Sequence, residues 1–259
     1  MEVIKGKNLQ IGYDKSIILD GIDIEIQKGE ILTILGTNGC GKSTLLKTIS
    51  RVIPAKNGDI YLEDNIIENI KTSDFAKKVG FVAQNNEIPE DLTVKEFIRY
   101  GRVPHKKWYE PFNNEDEEIV DWAMSICKIE KFANRKVMSL SGGERQKIWI
   151  AMVLAQKTDI LLLDEPTTYL DICHQVEILE LIKKLNRELK ITIIMVLHDL
   201  NQALQYSDRV IVLKEKKKYA QGDVKEVLTP ELVKVVYNVD CDLIECEGKK
   251  HFIIKGIFS

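Results

Sequence analysis

Residues 36–43 read GTNGCGKS. This is the pattern G-x-x-x-x-G-K-[ST]. It follows the apolar run ILTIL at 31–35 and opens the helix-like segment KSTLLKTIS at 42–50. Few short patterns restrict a fold as much, because this one demands a buried strand, a tight turn and a helix in that order. Glycines let the N–H groups of the loop converge on an anion. The helix that follows adds its positive end. Lys42 supplies a point charge for the outer phosphates of a nucleoside triphosphate, and Ser43 a hydroxyl for Mg²⁺. Gly36, Thr37, Asn38, Gly39, Cys40, Gly41, Lys42, Ser43 and Thr44 are the expected phosphate-binding residues.

Two more runs share the texture of ILTIL. ILLL at 160–163 and ITIIMVL at 191–197 are short and continuously apolar. Strands covered on both faces of a parallel sheet look like this. HQVEILELIKKLNREL, helical in pattern, separates these two runs, and NQALQYS follows the second. Ligands of open α/β sheets bind beyond the carboxyl ends of the strands. ILLL ends in Asp164 and Glu165, and ITIIMVL ends in His198. Asp164 is placed to hold Mg²⁺ through water, Glu165 to polarise an attacking water, and His198 to act beside the phosphates.

The rest of the chain is organised around that core. NLQIGY and GIDIEIQ alternate apolar and polar residues, which predicts antiparallel strands near the N-terminus. IYLEDNIIE predicts a hairpin turning at Asp64-Asn65. From about Pro89 to Ala155 strand signals stop. TVKEFIRYG opens with Thr93 and Glu96 in capping-box spacing. NNEDEEIVDWAMSIC places acids at a helix start, where the helix dipole favours them. The expected division is 1–88 for the first part of the core, 89–155 for a helical subdomain, and 156–259 for the second part and the tail. TPELVKVVYNV begins with Thr then Pro, a helix start, and the residues after Asp240 turn strand-like.

Composition narrows the function. The 259 residues carry a net charge of -3, without the basic excess that nucleic-acid binders usually carry, so no nucleic-acid partner is expected. No signal-peptide core opens the chain, and no apolar run approaches the ~20 residues of a membrane span. The expectation is a cytosolic protein whose membrane role, if any, runs through a partner. Five cysteines form no CxxC pair and read as reduced thiols; Cys241 and Cys246 alone make a weak metal pair.

LSGGE at 140–144 is a second glycine pair, far from the first loop. Ser141 and Glu144 have capping-box spacing ahead of the helical ERQKIWIAMVLAQ. A serine, two glycines and a helix N-terminus also form an anion site. Such a site can cover the far side of a nucleotide if it comes from a second copy of the chain, and two-fold symmetry then makes two sites from one pair of motifs.

With these motifs in this order, the chain resembles the nucleotide-binding subunit of ABC transporters over nearly its whole length. The resemblance implies an α/β P-loop NTPase core with an N-terminal antiparallel β lobe and an inserted helical subdomain. It implies ATP and Mg²⁺ as ligands, and a homodimer in which Ser141, Gly142 and Gly143 of one copy meet the nucleotide of the other. By the same resemblance Tyr13 stacks on adenine, Gln84 senses Mg²⁺ near the membrane partner, Asp171 in TTYLD crosses the dimer, and His198 stands near the γ-phosphate. GRVPHKKWY, YLDICHQVEILELIKKLNRE, MVLHDLNQALQYSDRVIVLK and AQGDVKEVLTPELVKVVYNV are similar to the ATPases of iron-siderophore importers, with cobalamin and haem importers as close relatives. This implies two transmembrane permease subunits, an external substrate-binding protein, and a peripheral place on the cytoplasmic face of the membrane. Residues 99–109 join the region near Gln84 as the expected permease contact. The alternatives are the same role for cobalamin, haem, zinc or manganese, and a repair or translation ATPase. Two positions depart from the family pattern: Thr37 stands where proline is common, and LKEKKKYAQG lacks the usual hairpin glycine.

Overall fold

The computed structural model describes residues 1–84 and 90–258. The expected boundary at 88/89 lies outside the described residues. Two compact units emerge, residues 1–69 with 192–259 and residues 70–191.

The first unit begins with β1 (Glu2–Tyr13), β2 (Ser16–Gln27), β3 (Ile31–Gly36), α1 (Lys42–Ile49), β4 (Asn57–Leu62) and β5 (Asn65–Ile66). The second holds α2 (Thr72–Lys78), β6 (Val79–Val82), α3 (Val94–Arg99), α4 (Asn114–Cys127), α5 (Gly142–Ala155), β7 (Ile160–Leu163) and α6 (Ile172–Leu189). The chain then returns to the first with β8 (Thr192–Val196), α7 (Leu200–Tyr206), β9 (Arg209–Lys214), β10 (Lys217–Asp223), α8 (Val224–Val227), α9 (Pro230–Tyr237), β11 (Val239–Cys246) and β12 (Lys249–Ile257).

In the first unit, β2, β1, β4 and β5 form an antiparallel sheet in that order. Alternation decides its buried face: Ile22, Ile24 and Ile26 are at most 2% exposed while their neighbours face out. Each such side chain contributes roughly 1.5–3 kcal/mol by leaving water. β3 is buried at all six positions and lies parallel between β8 and β9. Its continuous apolar run is thus explained by cover on both faces.

The hairpin after β4 turns one residue earlier than expected. Leu62 pairs with Asn65, so Glu63 and Asp64 make the turn and Glu63 takes φ 57. Asn65 has already joined β5. The β9–β10 turn manages without glycine by placing Glu215 and Lys216 at φ 47 and 66. The Lys216 carbonyl accepts the Asp20 N–H at 2.9 Å, which holds the turn against β2.

In the second unit β6 pairs in parallel with β7. Its sequence, VGFV, is too short to signal a strand. Gly80 is required there, since a Cβ would come 2.0 Å from Val153 Cγ1 on α5. α3, α4 and α5 begin with capping boxes from Thr93, Asn113 and Ser141. The Trp149 and Phe97 rings stand nearly perpendicular at 4.7 Å between centroids, joining α5 to α3. A buried ion cluster fixes the 3-10 segment Tyr100–His105. Arg102 Nε lies 3.0 Å and Lys106 Nζ 2.5 Å from the Asp116 carboxylate, and Arg102 also donates to the Ala155 carbonyl.

The tail is a hairpin, β11 with β12, packed on α9 and α7. Asn201 of α7 grips its main chain: the amide oxygen accepts the Phe252 N–H at 2.7 Å and the amide nitrogen donates to the Phe252 carbonyl at 3.3 Å. All five cysteines are free thiols. Burial raises the Cys127 thiol to about 12, so it stays protonated.

Candidate functional site

The phosphate loop lies in the first unit. Gly36, Gly39 and Gly41 take φ 145, 76 and 104, a region open to glycine and strained for other residues. At Gly36 the need is also steric, because a Cβ would meet the Leu213 carbonyl oxygen at 2.4 Å. Lys42 is 5% exposed, and its amine donates to the Gly36 and Thr37 carbonyls at 2.9 and 3.0 Å. Burial of the aliphatic stem and two main-chain acceptors hold the charge over the loop. The Cys40 N–H donates to the Thr37 carbonyl, while Asn38 and Gly39 are exposed. Thr44 is buried and Ser43 half-buried at the start of α1.

α1 shares with α2, whose N-cap is Lys71, a start that no side chain caps, but in α1 that start, at Gly41, follows the glycine loop. α3, α4, α5, α6, α7, α8 and α9 all receive a side-chain cap, from Thr93, Asn113, Ser141, Asp171, Asp199, Asp223 and Thr229. A helix start without a side-chain acceptor, behind a glycine loop and a buried lysine, suits a phosphate.

Tyr13 and His198 belong to the same unit. Tyr13 ends β1 beside a tight turn and is 44% exposed. His198 is exposed in the segment between β8 and α7.

The second unit carries the remaining expected residues. Asp164 is 2% exposed, and its N–H donates to the Val82 carbonyl at 2.9 Å. Glu165 follows at φ 52. Its carboxylate accepts the Gln84 amide at 2.6 Å and the Thr168 hydroxyl at 2.9 Å. Gln84 and Glu165, far apart in sequence, are therefore neighbours; Thr168 joins them without a sequence signal. Among the described residues no three His, Cys, Asp or Glu side chains cluster as a metal site. Ser43 in the first unit and Asp164 in the second each carry an oxygen donor of the kind Mg²⁺ takes.

The LSGGE segment caps α5. Ser141 Oγ accepts the Glu144 N–H at 3.3 Å, and the Glu144 carboxylate accepts the Ser141 N–H at 2.9 Å. That backbone bond holds the Glu144 carboxyl below its ordinary range. Arg145 donates to the Leu140 carbonyl. Asp171 caps α6 and accepts from His174 through both the backbone N–H and Nδ1. The backbone bond leads in lowering the Asp171 carboxyl.

Residues 19–168 match the family described as ABC transporter. The chain belongs to that family. This ABC chain is 48% identical over 239 residues to a petrobactin import ATP-binding protein of Bacillus anthracis, covering 92% of this chain and 88% of the relative. It is 45% identical over 242 residues to the ferric enterobactin transport ATP-binding protein of Escherichia coli K12, covering 93% and 89%. Among solved structures, one chain of a candidate metal-chelate type ABC transporter in an inward-facing conformation superposes with a TM-score of 0.86, 26% identity and 98% coverage of both chains. A dimeric ATP-binding cassette in a post-hydrolysis state with ADP and Pi gives 0.74 and 30%, covering 85% of this ABC chain and 98% of that one. No helix among the described residues is long and apolar enough to cross a membrane.

Proposed function

We propose that this ABC chain is the ATP-hydrolysing subunit of an importer for ferric siderophores. The carrying observation is that relatives matched over nine-tenths of the chain are a petrobactin import and a ferric enterobactin transport ATP-binding protein. The uncapped start of α1 behind Lys42 supports a phosphate ligand.

In this reading Gly36 to Thr44 hold the phosphates of ATP and Tyr13 stacks on adenine. Ser43, Asp164 and Gln84 would serve Mg²⁺, which would neutralise charge on the outer phosphates. Glu165 accepts a proton from the attacking water. Its bonds to Gln84 and Thr168 fix the carboxylate that must receive it. Lys42 and His198 steady the charge that develops on the transferred phosphoryl. Ser141, Gly142, Gly143 and Asp171 serve the nucleotide of a second copy, so that ATP closes a homodimer and hydrolysis opens it. The dimeric cassette among the structural neighbours supports that arrangement. The helical subdomain at 89–155 and the Gln84 region would pass the motion to two permease subunits at the cytoplasmic face of the membrane, with an external binding protein delivering the siderophore. No nucleic acid is involved.

Glu165→Gln tests this directly. Steady-state hydrolysis should fall ~10²–10⁴-fold while Mg-ATP affinity is retained. Full hydrolysis by that variant would remove Glu165 from the mechanism.

A further inference from the structure

The two glycines of LSGGE are not equivalent. A Cβ on Gly142 would meet nothing nearer than Leu170 Cδ2 at 3.6 Å. A Cβ on Gly143 would lie 2.2 Å from Cδ2, 2.5 Å from Cγ and 2.9 Å from Cβ of His174. Gly143 is not among the glycines with positive φ, and it sits in the first turn of α5, where alanine is otherwise the better helix former. An imidazole packed on its α-carbon is what requires a glycine there.

That imidazole is held from its other side. His174 Nδ1 lies 2.9 and 2.8 Å from the two Asp171 carboxylate oxygens, and the His174 N–H donates to the same carboxylate at 2.9 Å. One turn further along both helices, Lys147 of α5 bonds Glu177 of α6 at 2.6 Å. α5 and α6 are therefore tied twice on one face, and the first tie lies directly under the LSGGE turn. Lys147–Glu177 orients the helices, whereas His174 reaches the two segments that start them, LSGGE and the turn before α6.

We propose that His174 is a positioning residue that locks Asp171 to the LSGGE turn, so that Ser141 and Asp171 are presented to the second copy as one rigid surface. This rests on the composite-site reading above. A loose turn would have to be ordered each time the dimer closes, and a pre-ordered one removes that cost.

The test uses the full-length Glu165→Gln chain with Mg-ATP and measures dimerisation by sedimentation. His174→Ala should weaken dimerisation about tenfold and leave the monomer's Mg-ATP affinity unchanged. Gly143→Ala should also weaken it. Gly143→Ala with His174→Ala should be no weaker than His174→Ala alone, because the methyl then occupies vacated space. Strictly additive losses would overturn the inference, as would a His174→Ala chain that melts earlier yet dimerises normally. A Glu165→Gln parent that stays monomeric overturns the composite-site reading and this inference with it; a parent that dimerises equally well with and without His174 overturns the inference alone.

Discussion

Asp116 offers a stability prediction whose size follows from the structure. Its side chain is 4% exposed between Arg102 and Lys106, which are 8% and 13% exposed. Burial by itself would raise the carboxyl. Hydrogen bonds from Lys106, the Asn113 backbone and Arg102 outweigh it and bring the value down from 3.8 to about 2. A depressed carboxylate stabilises the fold fully above its unfolded value, and that stability is lost as pH falls toward the folded one. The difference is worth roughly 2–3 kcal/mol at neutral pH, of which roughly 1 kcal/mol is gone at pH 3. Asp116→Asn leaves buried Arg102 and half-buried Lys106 without their anion and should cost about 3 kcal/mol at pH 7, with the gap to the parent about 1 kcal/mol narrower at pH 3. Urea unfolding followed by tryptophan emission is the assay. All three tryptophans, Trp108, Trp122 and Trp149, lie in the second unit with the cluster, so the signal reports that unit. Equal midpoints at pH 7, or a gap that does not narrow in acid, would refute the argument.

Three further outcomes are expected. Gly36→Ala imposes φ 145 on a residue with a Cβ and drives that atom at the Leu213 carbonyl; strain of ~1–3 kcal/mol should weaken ATP binding tenfold or more, measured with a fluorescent ATP analogue. Asn201→Ala removes both bonds to the Phe252 main chain, worth roughly 0.5–1.5 kcal/mol each, so amide exchange across β12 should accelerate while the β3 amides stay protected. Thr168→Val should lower the hydrolysis rate and leave Mg-ATP affinity intact, since its hydroxyl orients Glu165 and has no other assigned role.

The sequence revealed whatever is encoded locally. Strands β3, β7 and β8 announced themselves because cover on both faces demands unbroken apolar runs. The caps at Thr93 and Ser141 were legible because both partners lie within four residues. β6 was not legible: its identity depends on pairing with β7, and its glycine on a valine of α5. The same holds for the site. Lys42, Asp164 and Glu165 follow from motif and strand ends; Thr168 bonds Glu165 three residues away with no pattern to mark it, and His174 matters through Gly143, a neighbour that only the fold supplies. Tyr13 and Gln84 came from resemblance alone. Gln84 now has a physical partner in Glu165, and Tyr13 an exposed ring. Asp64-Asn65 misled because Asn65, a good turn former, was recruited by β5.

The central claim is that hydrolysis at Glu165 drives siderophore import. The direct measurement is uptake by cells whose own copy carries Glu165→Gln, supplied in parallel with radiolabelled ferric siderophores, haem, cobalamin and zinc. The account predicts loss of ferric siderophore uptake with the other three unchanged. Undiminished siderophore uptake would contradict it, and selective loss of haem, cobalamin or zinc would keep the ATPase but reassign its cargo.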